Sequence, residues 1–261
     1  MSSEQQAAEL VHYEVERGVA RVTLDSPHNR NALSNRLVGQ LLEALRRADG
    51  DDDVRVIVLS HTGNTFCAGM DLTEASENTG ADASTARSQQ LADLLRTILT
   101  LGTPVVASID GHVRAGGMGI IGACDIVVSG QRSTFGLTEA RIGVAPSIIS
   151  LVVLPRLSDR SAARLCLTGE TFGAAEAARI GFITEAADDR DGAVAKLLTD
   201  FRAVSPQGLR ETKLLVNHAI LASFDASRDR VVEQSTRLFR SEEAAEGMRA
   251  FLEKRPPRWA Q

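Results

Sequence analysis

The chain has 261 residues, 43% of them hydrophobic, and its 29 basic and 34 acidic side chains leave a net charge of −5 at neutral pH. At this length one large domain buries roughly three quarters of its unfolded surface, and the absence of a lysine/arginine run, with one Trp, one Tyr and eight Phe, excludes the electrostatic footprint of a nucleic-acid binder. The start, MSSEQQAAEL, has neither the cationic nor the apolar stretch of a leader, and no run of about 18 apolar residues occurs; a cytoplasmic protein with no membrane contact is expected.

In chain order, LVHYEVE and VARVTLD alternate with period two on either side of Arg17 and Gly18 and predict a β-hairpin. Ser34 is placed to cap a helix over NRLVGQLLEALRRA, whose Leu37, Leu41, Leu42 and Leu45 share one face. VRVIVLS reads as a mostly buried strand. The polar segment Thr73 to Thr85 reads as a mobile loop ahead of the helix ARSQQLADLLRTILTL. Pro104 introduces the strand VVASI; DIVVSG and TFGLTEARIGV follow, and beyond about Ala174 the pattern is mainly helical. Cys67, Cys124 and Cys166 are scattered without ligand spacing, so reduced thiols and no metal site are expected.

Four glycines stand among the eight residues from Ala115 to Gly122, in an otherwise apolar stretch that reads as a buried helix. Glycine inside a helix costs about 1 kcal/mol relative to alanine, so the backbone there is needed bare. Residues 117–122, GMGIIG, match the GxGxxG dinucleotide pattern, but six residues separate the end of VVASI from Gly116, whereas that motif follows its strand directly. No GxSxG occurs either. The first N–H groups of a helix lack partners and sit at its positive end, which makes Gly116 one half of a candidate oxyanion hole. The segment NTFCAGMDL offers the other half, with Gly69 turning the backbone ahead of Met70.

FCAGMDL, GHVRAGGMGIIGACDIVV, STFGLTEARIGVAP and EGMRAFLEKRPPRW together resemble the signature segments of the enoyl-CoA hydratase/isomerase (crotonase) superfamily, in order and along nearly the whole chain. The resemblance implies an α/β spiral of ββα units over residues 1–203, then a helical oligomerisation segment over 204–261 that builds trimers or hexamers. It implies an acyl-CoA thioester substrate, with coenzyme A as part of the substrate and no separate cofactor. The oxyanion amides would be those of Met70 and Gly116, with Gly117 beside them. Backbone groups around Ala68 and Leu72 would receive the adenine, and Phe251 and Lys254 would reach the CoA of a neighbouring subunit.

Two positions bear on the chemistry. Glu139 matches the glutamate that serves the family as general acid/base, whereas Gly119 stands where hydratases carry a first glutamate and leaves that acid absent. One carboxylate suffices to move a proton between two carbons of an enolate; water addition ordinarily uses both. Hydration and double-bond isomerisation therefore stay unranked, and a non-catalytic acyl-CoA-binding protein is the alternative. Arg114, just before the oxyanion glycines, is a candidate partner for a second carboxylate on the acyl chain. Asp125 and His112 read as structural.

Overall fold

The computed structural model describes residues 9–77 and 80–260. Strands β1 (Val11–Glu16) and β2 (Val19–Leu24) form the expected antiparallel hairpin, turning at Arg17 and Gly18, both at positive φ. Helix α1 (Asn35–Asp49) starts where Ser34 Oγ accepts the Leu37 N–H at 3.2 Å. Its Leu37, Leu41 and Leu45 are fully buried, each contributing roughly 1.5–3 kcal/mol through lost apolar surface.

The chain then repeats one pattern three times. Strands β3 (Val56–His61) and β4 (Thr65–Cys67) lead to helices α2 (Leu72–Glu77) and α3 (Ala81–Thr100); β5 (Val105–Ile109) and β6 (His112–Arg114) lead to α4 (Gly116–Ala123); β7 (Ile126–Gly130) and β8 (Thr134–Gly136) lead to α5 (Ser147–Val153). In each unit the first strand joins a six-stranded sheet, in the order β1-β2-β3-β5-β7-β10, and the second joins a four-stranded sheet, in the order β4-β6-β8-β9. The chain thus winds as a ββα spiral. It closes through α6 (Asp159–Thr168), β9 (Thr171–Gly173), α7 (Ala174–Arg179), β10 (Glu185–Ala187), α8 (Arg190–Ala203), α9 (Pro206–Phe239) and α10 (Glu242–Leu252).

The strand alternation explains the two-sided burial of the large sheet. Ala20, Val22, Ile57, Leu59 and Ala107 face the main core, whereas Val19, Val56, Val58, Val106 and Val128 face the opposite way and pack with Val194 and Leu198 of α8.

The segment expected to be a loop, Thr73 to Thr85, instead carries most of α2 and the start of α3, with residues 78–79 outside the described ones. Asp71 is the reason at its front edge: its Oδ1 accepts the N–H groups of Thr73 and Glu74 at 3.0 and 3.3 Å and caps α2. Strand β6, three residues between VVASI and the glycine stretch, is not among the elements expected from the sequence.

Helix α9, about 50 Å long, does not stand apart from residues 1–203: its Ile220, Phe224, Val231 and Val232 share the main core with α3 and α5. A buried ion pair fixes it. Lys213 Nζ lies 2.8 Å from Asp125 Oδ2 at the end of α4 and donates to the Ile98 and Thr103 carbonyls at 2.9 and 3.1 Å. Asn217 Nδ2 donates to Asp125 Oδ1 and to the Leu99 carbonyl, both at 3.2 Å. Asp125 is structural, as read from the sequence: Oδ2 also accepts the Val105 N–H at 2.7 Å, while its side-chain partners Lys213 and Asn217 come from about 90 residues away.

Candidate active site

Two loops meet at the ends of β4 and β6. Gly69 sits at φ 95°, a region L side chains rarely adopt, and a Cβ there would fall 2.8 Å from Ala115 Cβ. Only glycine lets the loops touch. Leu33 clamps the first loop, donating its N–H to the Gly69 carbonyl at 2.8 Å and accepting the Asp71 N–H at 3.3 Å. Met70, between them, keeps an N–H without an acceptor among the described residues.

The second loop turns at Ala115, held at φ 47° and ψ −116°, a strained conformation for a residue with a Cβ, costing on the order of 1–3 kcal/mol. The Ala115 N–H donates to the Gly136 carbonyl at 3.1 Å, which pins the turn. Helix α4 opens directly after it, and the Gly116 N–H likewise has no acceptor among the described residues. A Cβ at Gly116 would meet Leu33 Cδ1 at 2.7 Å, with Gly69 Cα 3.8 Å away. Both free amides therefore belong to one small junction, organised around Leu33.

Glu139 starts a 3-10 turn, Glu139–Ile142, just after β8. Its side chain is buried at 8% exposure, and Oε2 has no hydrogen-bond partner. Burial pushes the carboxyl up from 4.5 to about 7, with its own backbone N–H opposing the shift. A carboxyl that titrates near neutrality can both take and give a proton. The turn is backed by α10. A Cβ at Gly247 would overlap the Ile142 carbonyl and one at Gly143 would meet the Glu243 backbone, so helix and turn are in backbone contact.

Met70, Gly116 and Glu139 line one cavity of about 600 Å³. Its walls are largely apolar, with Leu33, Val38, Leu91, Ile148, Ile149 and Phe239 among the lining residues. Asp71 is the other carboxylate on the wall, and besides capping α2 it accepts the Asn29 side-chain amide at 3.2 Å.

The remaining candidates divide. Ala68, Leu72, Arg114 and Phe251 line the cavity with the three residues above. Arg114 directs its guanidinium back to the β6–β8 edge: Nη1 donates to the Val113 and Thr134 carbonyls at 2.9 and 2.7 Å, and Nη2 to Thr134 Oγ1 at 2.8 Å. His112 also binds Thr134 Oγ1, at 2.8 Å, in a structural role.

Gly117, Gly119 and Lys254 do not line this chain's own cavity. Gly117 is a packing glycine: a Cβ there would lie 2.8 Å from Cys67 Cβ and 3.0 Å from the Cys67 carbonyl. At Gly119 a Cβ would lie 2.6 Å from Ile149 Cγ2 and 3.3 Å from Leu95 Cδ1. The place expected to be vacant is filled by Ile149, which does line the cavity. Lys254 sits at φ 55° in the exposed turn after α10.

Three features escaped sequence reasoning: Ile149 as the residue opposite Gly119, the buried Ser88–Ser235 pair on the cavity wall, and the contact of α10 with the Glu139 turn. A signal existed only for the last, in Gly143 and Gly247, whose lack of side chains permits the approach.

Fold and cavity together define an enzyme of the crotonase class. The chain belongs to the enoyl-CoA hydratase/isomerase family, whose model matches residues 14–261. It is 34% identical to a Thermus thermophilus relative over 94% of this chain and 99% of the other. It is 30% identical to the 1,2-epoxyphenylacetyl-CoA isomerase of Escherichia coli, over 96% of this chain and 98% of the other. The crystal structure of an enoyl-CoA hydratase from Mycobacterium avium superposes with a TM-score of 0.90 at 55% identity, covering 97% of this chain and all of that one.

Proposed function

We propose that the protein binds an enoyl-CoA with its thioester oxygen between the Met70 and Gly116 amides and moves protons with Glu139. Two N–H donors fixed before the substrate arrives stabilise the oxyanion of an enolate as it forms. The observation that carries this reading is the cavity itself, which brings both free amides together with a buried carboxyl whose Oε2 has no hydrogen-bond partner. Ionised Glu139 removes a proton from one carbon of the bound acyl group; protonated Glu139 returns it at another, and the double bond shifts. Hydration starts from the conjugated enoyl thioester: ionised Glu139 takes a proton from water as its oxygen bonds to the β-carbon, the two amides hold the enolate, and protonated Glu139 then delivers the proton to the α-carbon. Since Asp71 is committed to α2 and Asn29, Glu139 carries the acid–base work in both reactions.

The test is product partitioning. A 3-enoyl-CoA and a 2-enoyl-CoA are mixed with the enzyme in heavy-oxygen water, following the enoyl-thioester absorbance and the mass of the products. Label-free double-bond migration identifies the isomerase and label in the β-hydroxyl the hydratase; a bound but unchanged thioester identifies the binding protein.

The oligomeric reading is a trimer or hexamer. Its support is apolar surface on the C-terminal helices: Leu215 and Val216 of α9 are 78% and 66% exposed, and Phe251 of α10 is 55% exposed. Phe251 also lines this chain's own cavity. A monomeric mass by light scattering at micromolar protein would refute it.

A further inference from the structure

Ser88 of α3 and Ser235 of α9 face each other at the cavity wall, and neither belongs to the acid–base or oxyanion machinery. Both are nearly sealed from solvent, at 2% and 4% exposure, yet both line the cavity. Ser88 Oγ donates to Ser235 Oγ at 3.0 Å. Ser235 is thereby the acceptor, and its own O–H has no acceptor among the described residues. The wall around the pair is mixed, with Arg87 and Gln90 beside Ser88 and apolar side chains one turn further on. Leu91 lies three residues after Ser88 and Phe239 four after Ser235, and both line the same wall. A buried hydroxyl proton beside an apolar cavity is unfavourable when a hydrocarbon covers it and favourable when an acceptor meets it.

We propose that the Ser88–Ser235 pair is a recognition subsite for an oxygen carried on the acyl chain, a carbonyl or hydroxyl beyond the reacting carbons. Ser235 donates to that oxygen, and Ser88, by occupying the Ser235 lone pair, fixes the direction in which the proton points. The favoured substrate is then an oxygenated acyl-CoA rather than a plain fatty acyl-CoA. This rests on the acyl group occupying the cavity, as in the function proposed above.

The probes are two trans-2-enoyl-CoA thioesters of matched length, one ending in a methyl group and the other in a methyl ketone, with their saturated analogues for binding measurements. Wild type is expected to favour the ketone roughly three- to tenfold in kcat/KM and in the calorimetric Kd of the analogue, the range of one neutral hydrogen bond. Ser235→Ala abolishes the preference while leaving the methyl-ended probe within about twofold, and Ser88→Ala weakens it. Ser235→Thr, which keeps the hydroxyl, restores most of it. Equal affinity for the two analogues in wild type overturns the proposal without any variant being made, and so does a preference that survives in both alanine variants. Because binding is read on saturated analogues, the outcome stands whether or not the enoyl probes turn over. Absence of turnover with the preference intact would refute the catalytic reading and leave the subsite standing.

Discussion

Glu139→Gln makes a prediction about stability that is independent of any substrate. The carboxyl has a pKa of about 7 in the folded protein against 4.5 unfolded, because burial disfavours its charge. A raised carboxyl pKa means that the folded state holds its proton more tightly. Below about pH 4 both states are protonated and the shift has no effect. Between 4.5 and 7 the unfolded chain releases the proton first, so stability falls as pH rises, and the loss is complete by about pH 8. The difference of about 2.5 in pKa corresponds to about 3 kcal/mol. Glutamine has nearly the same size and stays neutral, which removes this penalty. Urea unfolding of wild type and Glu139→Gln, at about pH 4, 6 and 8, reads the change; other titrating groups cancel in the difference, and equal m-values confirm that like transitions are compared. The variant should gain about 3 kcal/mol over wild type between the lowest and highest pH. A difference between the two proteins that does not vary with pH would show that Glu139 titrates normally, and the argument from burial would fail.

Three further perturbations probe the surroundings. Gly116→Pro deletes one oxyanion donor at a helix position that tolerates proline and should remove about 2.7–4 kcal/mol of transition-state stabilisation, measured as kcat/KM. Gly116→Ala keeps the N–H while pressing on Leu33 Cδ1 and serves as the steric control; near-normal turnover by a folded proline variant would end the assignment. Gly119→Glu should destabilise by at least about 1–3 kcal/mol through overpacking against Ile149, and adding Ile149→Ala should recover much of the loss in thermal unfolding. If Gly119→Glu alone is as stable as wild type, Ile149 does not fill that space. Lys213→Met strands Asp125 in a buried network and should cost about 3–5 kcal/mol by chemical denaturation, with Asp125→Asn in the same chain restoring part of it; a loss under about 1 kcal/mol would mean that α9 is held by its apolar face alone.

What the sequence exposes follows the range of the interactions concerned. The hairpin at Arg17–Gly18, the Ser34 cap and the helix opening at Gly116 depend on residues within a few positions of one another, so their patterns are visible in the chain. The spiral is legible only through resemblance, since nothing local says that β3 and β4 enter different sheets. Asp71 as a cap could have been read from its position two and three residues before Thr73 and Glu74, but the polar composition of the segment suggested a loop. At Gly119 the sequence shows that the acid is absent but not what lies opposite it. A missing side chain reads as empty space, yet packing joins α4 to α5, and Ile149, thirty residues later, occupies it. Lys213, Ser88 and Ser235 are likewise defined by partners about 90 to 150 positions distant. No spacing rule brings them together.

The central claim is that Glu139 moves the proton while the amides and cavity hold the substrate. Steady-state turnover of a 3-enoyl-CoA and a 2-enoyl-CoA by folded Glu139→Gln tests it most directly. The account predicts that kcat falls by about 100-fold or more on whichever substrate wild type converts, with KM little changed, because the groups that bind the ground state are untouched. Full activity of Glu139→Gln on every substrate that wild type turns over would place the base elsewhere and contradict the mechanism.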